Sequence, residues 1–83
     1  MKQMNLHLGN MAVGERGIVT GYTRDSKNYR ARLLAMGLTK ETGFTITRLA
    51  PLGDPVEIKV RGFALSLRRE EAATIMVRRE ERS

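Results

Sequence analysis

Cysteine is absent from the 83-residue chain, which removes disulfides, thiolate nucleophiles and every cysteine-based zinc or iron–sulfur site. Such a chain suits a reducing compartment. Histidine is nearly absent too: His7 stands alone, so no histidine triad or pair can hold a metal, and its place near the start reads as a solvated residue. Tryptophan is missing, and the four aromatic residues, Tyr22, Tyr29, Phe44 and Phe63, are spaced as core residues rather than as a platform for stacking bases. No apolar run approaches the roughly 18–20 residues that cross a bilayer. The first residues, Met1 to Gly9, have neither the apolar stretch nor the small-residue cleavage site of a secretory signal, so a cytoplasmic location is expected. Repeats and low-complexity linkers are also lacking. A chain this short buries only about 60–65% of its unfolded surface, enough for one modest core but not for a deep, enclosed active site. A single domain over residues 1–83 is expected, frayed at 1–7 and 80–83.

What is present is charge. Fifteen Lys and Arg face nine Asp and Glu, a net charge of +6, and 41% of the residues are hydrophobic. That balance is compatible with nucleic acid, an acidic protein surface or an anionic membrane. The periodicity of the apolar residues argues for a packed core rather than disorder. In Val56-Glu57-Ile58-Lys59-Val60 the alternation is strict, with Val56, Ile58 and Val60 on one face and charges on the other, the pattern of a half-buried strand. Phe44 to Leu49 alternates as well, and Pro51-Leu52-Gly53-Asp54-Pro55 between the two runs cannot continue a strand, so the pair reads as a β-hairpin. Phe63, Leu65 and Leu67 carry the alternation on, a helical turn is expected at Arg69–Ala73, and Ile75-Met76-Val77 gives another short strand. Near the start, Gly17 to Thr23 reads as a strand with a bend or bulge at Gly21.

One substantial helix is expected, from about Ser26 to Met36, with Asp25 or Ser26 capping its start and Gly37 ending it in the left-handed conformation. At about 100° per residue, Tyr29, Leu33 and Met36 share a face, while Leu34 lies round the side near Arg30. Leu34 therefore either fills a second wall of the core or flanks an exposed contact surface. About five short strands with an early helix describe a mainly β fold, a small SH3-like barrel. An OB-fold usually needs a longer chain and a later helix.

Catalytic constellations fail. Gly9 to Gly14 has the glycine spacing of a phosphate loop, but Glu15-Arg16 stands where Lys and Ser or Thr are needed. Glu70-Glu71 and Glu80-Glu81 alternate with arginines and read as solvated ion-pair faces. Enzymatic activity, resident cofactors and metal sites are not expected. Arg61, Arg68, Arg69, Arg78 and Arg79 crowd the last third, which keeps a basic nucleic-acid-binding barrel as the alternative reading.

Three runs carry a resemblance: Tyr29-Arg30-Ala31-Arg32-Leu33-Leu34-Ala35-Met36-Gly37-Leu38, then Ala50-Pro51-Leu52-Gly53-Asp54-Pro55-Val56, then Leu65-Ser66-Leu67-Arg68-Arg69-Glu70-Glu71-Ala72. Together they resemble the FeoA family, small cytosolic proteins of bacterial ferrous iron transport, over about residues 11–77. Lys40-Glu41 departs from the Pro-Gly common there. The resemblance implies an SH3-like barrel that works with FeoB, a membrane permease with a cytosolic GTPase domain. It also implies membrane association only through that partner and no nucleic-acid role, although similar domains end iron- and manganese-dependent repressors. Arg30, Leu34 and Leu52 are the groups least easily explained by barrel packing, and they are the expected partner-binding residues.

Overall fold

The computed structural model of the chain describes residues 6–80. Eight elements follow one another: β1 (Leu6–His7), β2 (Arg16–Tyr22), α1 (Arg30–Ala35), β3 (Gly43–Leu49), β4 (Val56–Val60), β5 (Phe63–Leu67), α2 (Arg69–Ala72) and β6 (Ile75–Arg79). All six strands join one antiparallel sheet in the order β1-β6-β2-β3-β4-β5. Irregularities between Val19 and Gly21, and between Ile46 and Arg48, break the register and add local twist. The sheet curls around a single core.

That core follows the alternation. Phe44, Ile46, Val56, Ile58, Val60 and Leu67 are buried, joined by Val19, Ile75 and Val77 from the other side of the curl and by Leu8, Leu33 and Leu38 from the connections. Each such side chain contributes about 1.5–3 kcal/mol on burial. Leu65 is only partly buried but packs against the cluster.

The helix begins later than its apolar pattern suggests. Arg24–Ser26 forms a 3-10 turn, the Tyr29 amide bonds to the Ser26 carbonyl at 2.8 Å, and α1 starts at Arg30. Neither Asp25 nor Ser26 caps it, because Ser26 is buried with its hydroxyl unpartnered. The helix end matches expectation. Gly37, at φ +99°, donates to Leu34, and Leu38 donates to Leu33 at 3.1 Å, a Schellman motif whose flanking leucines both sit in the core. The Tyr22 hydroxyl donates to the Leu38 carbonyl at 2.6 Å and fastens this corner to β2.

Three expectations are corrected. Leu6 and His7, expected to fray, form β1 by pairing with Val77 and Met76, and the Glu80 amide bonds to Arg16. Residues 1–5 and 81–83 lie outside the described part. Glu71, expected on a solvated face with Glu70, is 2% exposed: one carboxylate oxygen accepts from the Arg68 amide at 2.9 Å and the other from Arg32 at 2.6 Å. The carboxylate thus satisfies the start of α2 while tying it to α1, which makes its burial affordable. Phe63, expected in the core, is 68% exposed. It shares the inward face of β5 with Leu65 and Leu67, but its partner Val60 is the last residue of β4, so this end of the hairpin projects past the core.

Candidate partner-docking surface

The expected site residues fall in two places. Arg30 and Leu34 are four residues apart on α1, both exposed, so they share one stripe of the helix. Leu34 is 40% exposed whereas its neighbour Leu33 is completely buried, which resolves the choice for Leu34 in favour of the surface. Arg30 stands near Tyr22: burial raises the Tyr22 phenol above its usual value of 10.0, and the Arg30 charge opposes that rise. Leu52 lies elsewhere, in the Pro51–Gly53 turn that links β3 to β4, closed by the Gly53 amide donating to the Ala50 carbonyl at 2.8 Å.

Leu52 is 89% exposed and does not fold over the barrel. Its φ is +68°, followed by Gly53 at +74°, with an extended Asp54 before a cis Asp54–Pro55 bond. A leucine in the left-handed region is strained, and here it is also surrounded by water. The Asp54 carboxylate accepts from the Arg69 amide at 3.2 Å, so the loop is anchored to α2 even though its tip is free.

At the opposite end of β4 lies a feature that the apolar pattern did not reveal, an open cleft of about 280 Å³ between the end of α1 and the β4–β5 turn. Met36 forms one wall, Phe63 and Leu65 the other, with Val60 and Arg61 at the turn. Leu34 precedes Ala35 of the helical wall but is turned about 100° from it round α1 and does not line the cleft. Alternation reveals which face of a strand Phe63 occupies but not how far along the core it lies; the two residues Arg61-Gly62 beside it were the available sign of a rim position.

No three His, Cys, Asp or Glu side chains come together as a metal-ligand set among the described residues. Glu71 and Glu15 are engaged, by Arg32 and by Arg79 at 2.9 Å. No described helix is long and apolar enough to cross a membrane.

Comparison with known proteins matches residues 6–79 to the FeoA domain. The Fe(2+) transport protein A/Fe(2+) transporter FeoB fusion protein of Porphyromonas gingivalis is 38% identical over 77 residues, covering 93% of this chain but 8% of the fusion. The chain therefore corresponds to a small fraction of that relative's length. An FeoA-like protein from Clostridium acetobutylicum, solved by NMR, shares 30% identity and superposes with a TM-score of 0.85 over 99% of this chain and 94% of its own. The FeoA of Stenotrophomonas maltophilia, crystallised with zinc and described as a prokaryotic SH3 domain protein, superposes at a TM-score of 0.78 with 20% identity, covering 94% of this chain and 99% of that one. That last likeness is one of fold, and it matches the curled antiparallel sheet: this is a small SH3-like barrel. With the match running from β1 to the end of β6, the chain belongs to the FeoA family.

Proposed function

We propose that the protein is a cytoplasmic accessory module of ferrous iron uptake that binds the cytosolic part of a FeoB-type GTPase permease. The observation that carries this reading is the Porphyromonas gingivalis relative, in which a homologous segment and FeoB are one polypeptide. Covalent fusion holds two partners at high effective concentration, which is useful where they work together. The exposed apolar residues Leu34, on α1, and Phe63, which lines the Met36 cleft, are groups of the kind partners cover. The module acts by contact: it hydrolyses no nucleotide, holds no cofactor of its own and binds no nucleic acid in service of its role.

Titration of the purified protein against the permease's cytosolic portion tests the reading. Leu34→Ala is expected to weaken the complex by about five- to thirty-fold, a loss of about 1–2 kcal/mol, while changing stability by less than about 1 kcal/mol. Leu33→Ala, one position away, costs about 2–4 kcal/mol of stability. GTP turnover by the protein alone, or failure to bind the permease portion, overturns the proposal. DNA or RNA binding tighter than roughly 100 μM at physiological salt, falling steeply as salt rises, would favour the nucleic-acid alternative.

A further inference from the structure

The two ends of the sheet are finished differently. At one end, β1 spans two of the described residues, Leu6 and His7. At the other, β5 is five residues, Phe63-Ala64-Leu65-Ser66-Leu67, paired on one side only with β4. Its register with β4 is unbroken from Val56–Leu67 to Val60–Phe63. Sheet edges are ordinarily protected by lysine, proline, an inward charge or a bulge, and β5 has none of them.

Its free backbone groups can be placed. Val60 and Phe63 flank the two-residue turn Arg61-Gly62, whose φ values of +50° and +86° are those of a type I′ hairpin. The flanking pair of such a hairpin exchanges hydrogen bonds, and pairs alternate from there, so Val60–Phe63, Ile58–Leu65 and Val56–Leu67 are bonded across the ladder. The N–H and C=O of Ala64 and Ser66 consequently point to the open edge. Both residues are exposed, and among the described residues no other segment bonds to them. Two donors and two acceptors stand ready beside side chains too small to obstruct an approaching backbone.

We propose that the free edge of β5 is a strand-addition site, where an extended segment of a partner protein joins the sheet, its centre alternately apolar and its flanks acidic. Strand addition gives the partnership proposed above its mode of contact, and it rests on that partnership for the partner's identity. The apolar centre is required by Phe63 and Leu65, which face the Met36 cleft and can receive a side chain from the added strand. The acidic flanks follow from charge: β5 is uncharged, but Arg61 precedes it and Arg68 and Arg69 follow it, all exposed. A second copy of this chain is a poor occupant, because antiparallel pairing of two β5 edges sets Arg61 of each against the Arg68-Arg69 pair of the other.

The test is amide hydrogen exchange and titration at low ionic strength with two probes, the cytosolic portion of a FeoB-type permease and the peptide Glu-Glu-Val-Ser-Val-Ser-Val-Glu-Glu. The expected result is new protection at the Ala64 and Ser66 amides with both. Ser66→Pro removes an edge donor without touching the β4 ladder and is expected to weaken binding at least tenfold, whereas Ser66→Ala changes it less than twofold. Arg68→Glu, read independently should the proline variant lose its fold, is expected to weaken binding about threefold or more. A permease complex in which both amides exchange as in the free protein overturns the edge site while leaving the partnership intact. If the permease portion does not bind, the partnership falls, and the edge site stands only if the peptide protects the same amides; failure of both probes overturns it. Protection of those amides that rises with the protein's own concentration makes a second copy the occupant and overturns the acidic partner.

Discussion

The corner around α2 buries a carboxylate, while the corner where β4 turns into β5 leaves a phenylalanine in water. Glu71 is 2% exposed and Phe63 is 68% exposed, the reverse of what hydropathy dictates for either. The first inversion is local bookkeeping of hydrogen bonds: the Arg68 amide and the Arg32 guanidinium meet the two carboxylate oxygens, and the Thr74 hydroxyl donates to the Glu71 carbonyl at 2.7 Å. No such partners explain Phe63. Charge goes inside when the structure supplies every bond it needs, and an aromatic ring stays outside when its strand outruns the core.

The sharpest way to break this contrast is to bury a carboxylate with no partners. Ile58 is fully buried opposite Leu65, and Ile58→Asp is expected to cost several kcal/mol, against a total of only about 5 kcal/mol for a marginal domain. Cooperative thermal unfolding should disappear, and a well-dispersed NMR spectrum from the variant would contradict this account of the core. Next comes Glu71→Ala, expected to cost about 2–3 kcal/mol in urea denaturation because the start of α2 and the tie to α1 lose their acceptor together. Glu71→Gln keeps an acceptor for the Arg68 amide and should lose less.

At the other corner, Phe63→Ala is expected to change stability by less than about 1 kcal/mol, since the ring is already largely hydrated. A loss as large as that of Glu71→Ala would mean that the ring carries structural weight after all. The smallest effect is in pH. The Ala12 amide, and then Arg79, hold the Glu15 carboxyl below its ordinary value of 4.5. Its contribution to stability is therefore complete above about pH 4.5 and is lost as pH falls through the lower value of the folded state. Glu15→Gln should flatten the acid limb of a stability–pH curve, and an unchanged limb would remove Glu15 as a cause.

These same corners mark what the amino-acid order discloses. Val56, Ile58 and Val60 announce a strand and its buried face without help, because alternation is a property of the strand itself. Gly37 announces the helix end for a similarly local reason. The start of α1 is less legible: Ser26 looks like a cap but is drawn into the interior, a tertiary event that no neighbouring residue signals. Leu34 and Leu52 stand on the surface as expected, yet they occupy different parts of the molecule, and the cleft closer to Leu34 depends on a hairpin folding back toward a helix almost thirty residues earlier. Such proximity is topological, and sequence spacing does not encode it.

The uncharged β5 edge has a colloidal consequence. At a net charge of +6, molecules repel one another in dilute buffer, and the arginines at both ends of the strand sharpen that repulsion where two edges would meet. Added salt shortens the Debye length to about 10 Å at 0.1 M and about 3 Å at 1 M, so the repulsion fades while the backbone's appetite for a neighbour does not. The protein should thus be best behaved in solution at low ionic strength and become increasingly sticky in brine, against the habit of adding salt to keep basic proteins dispersed.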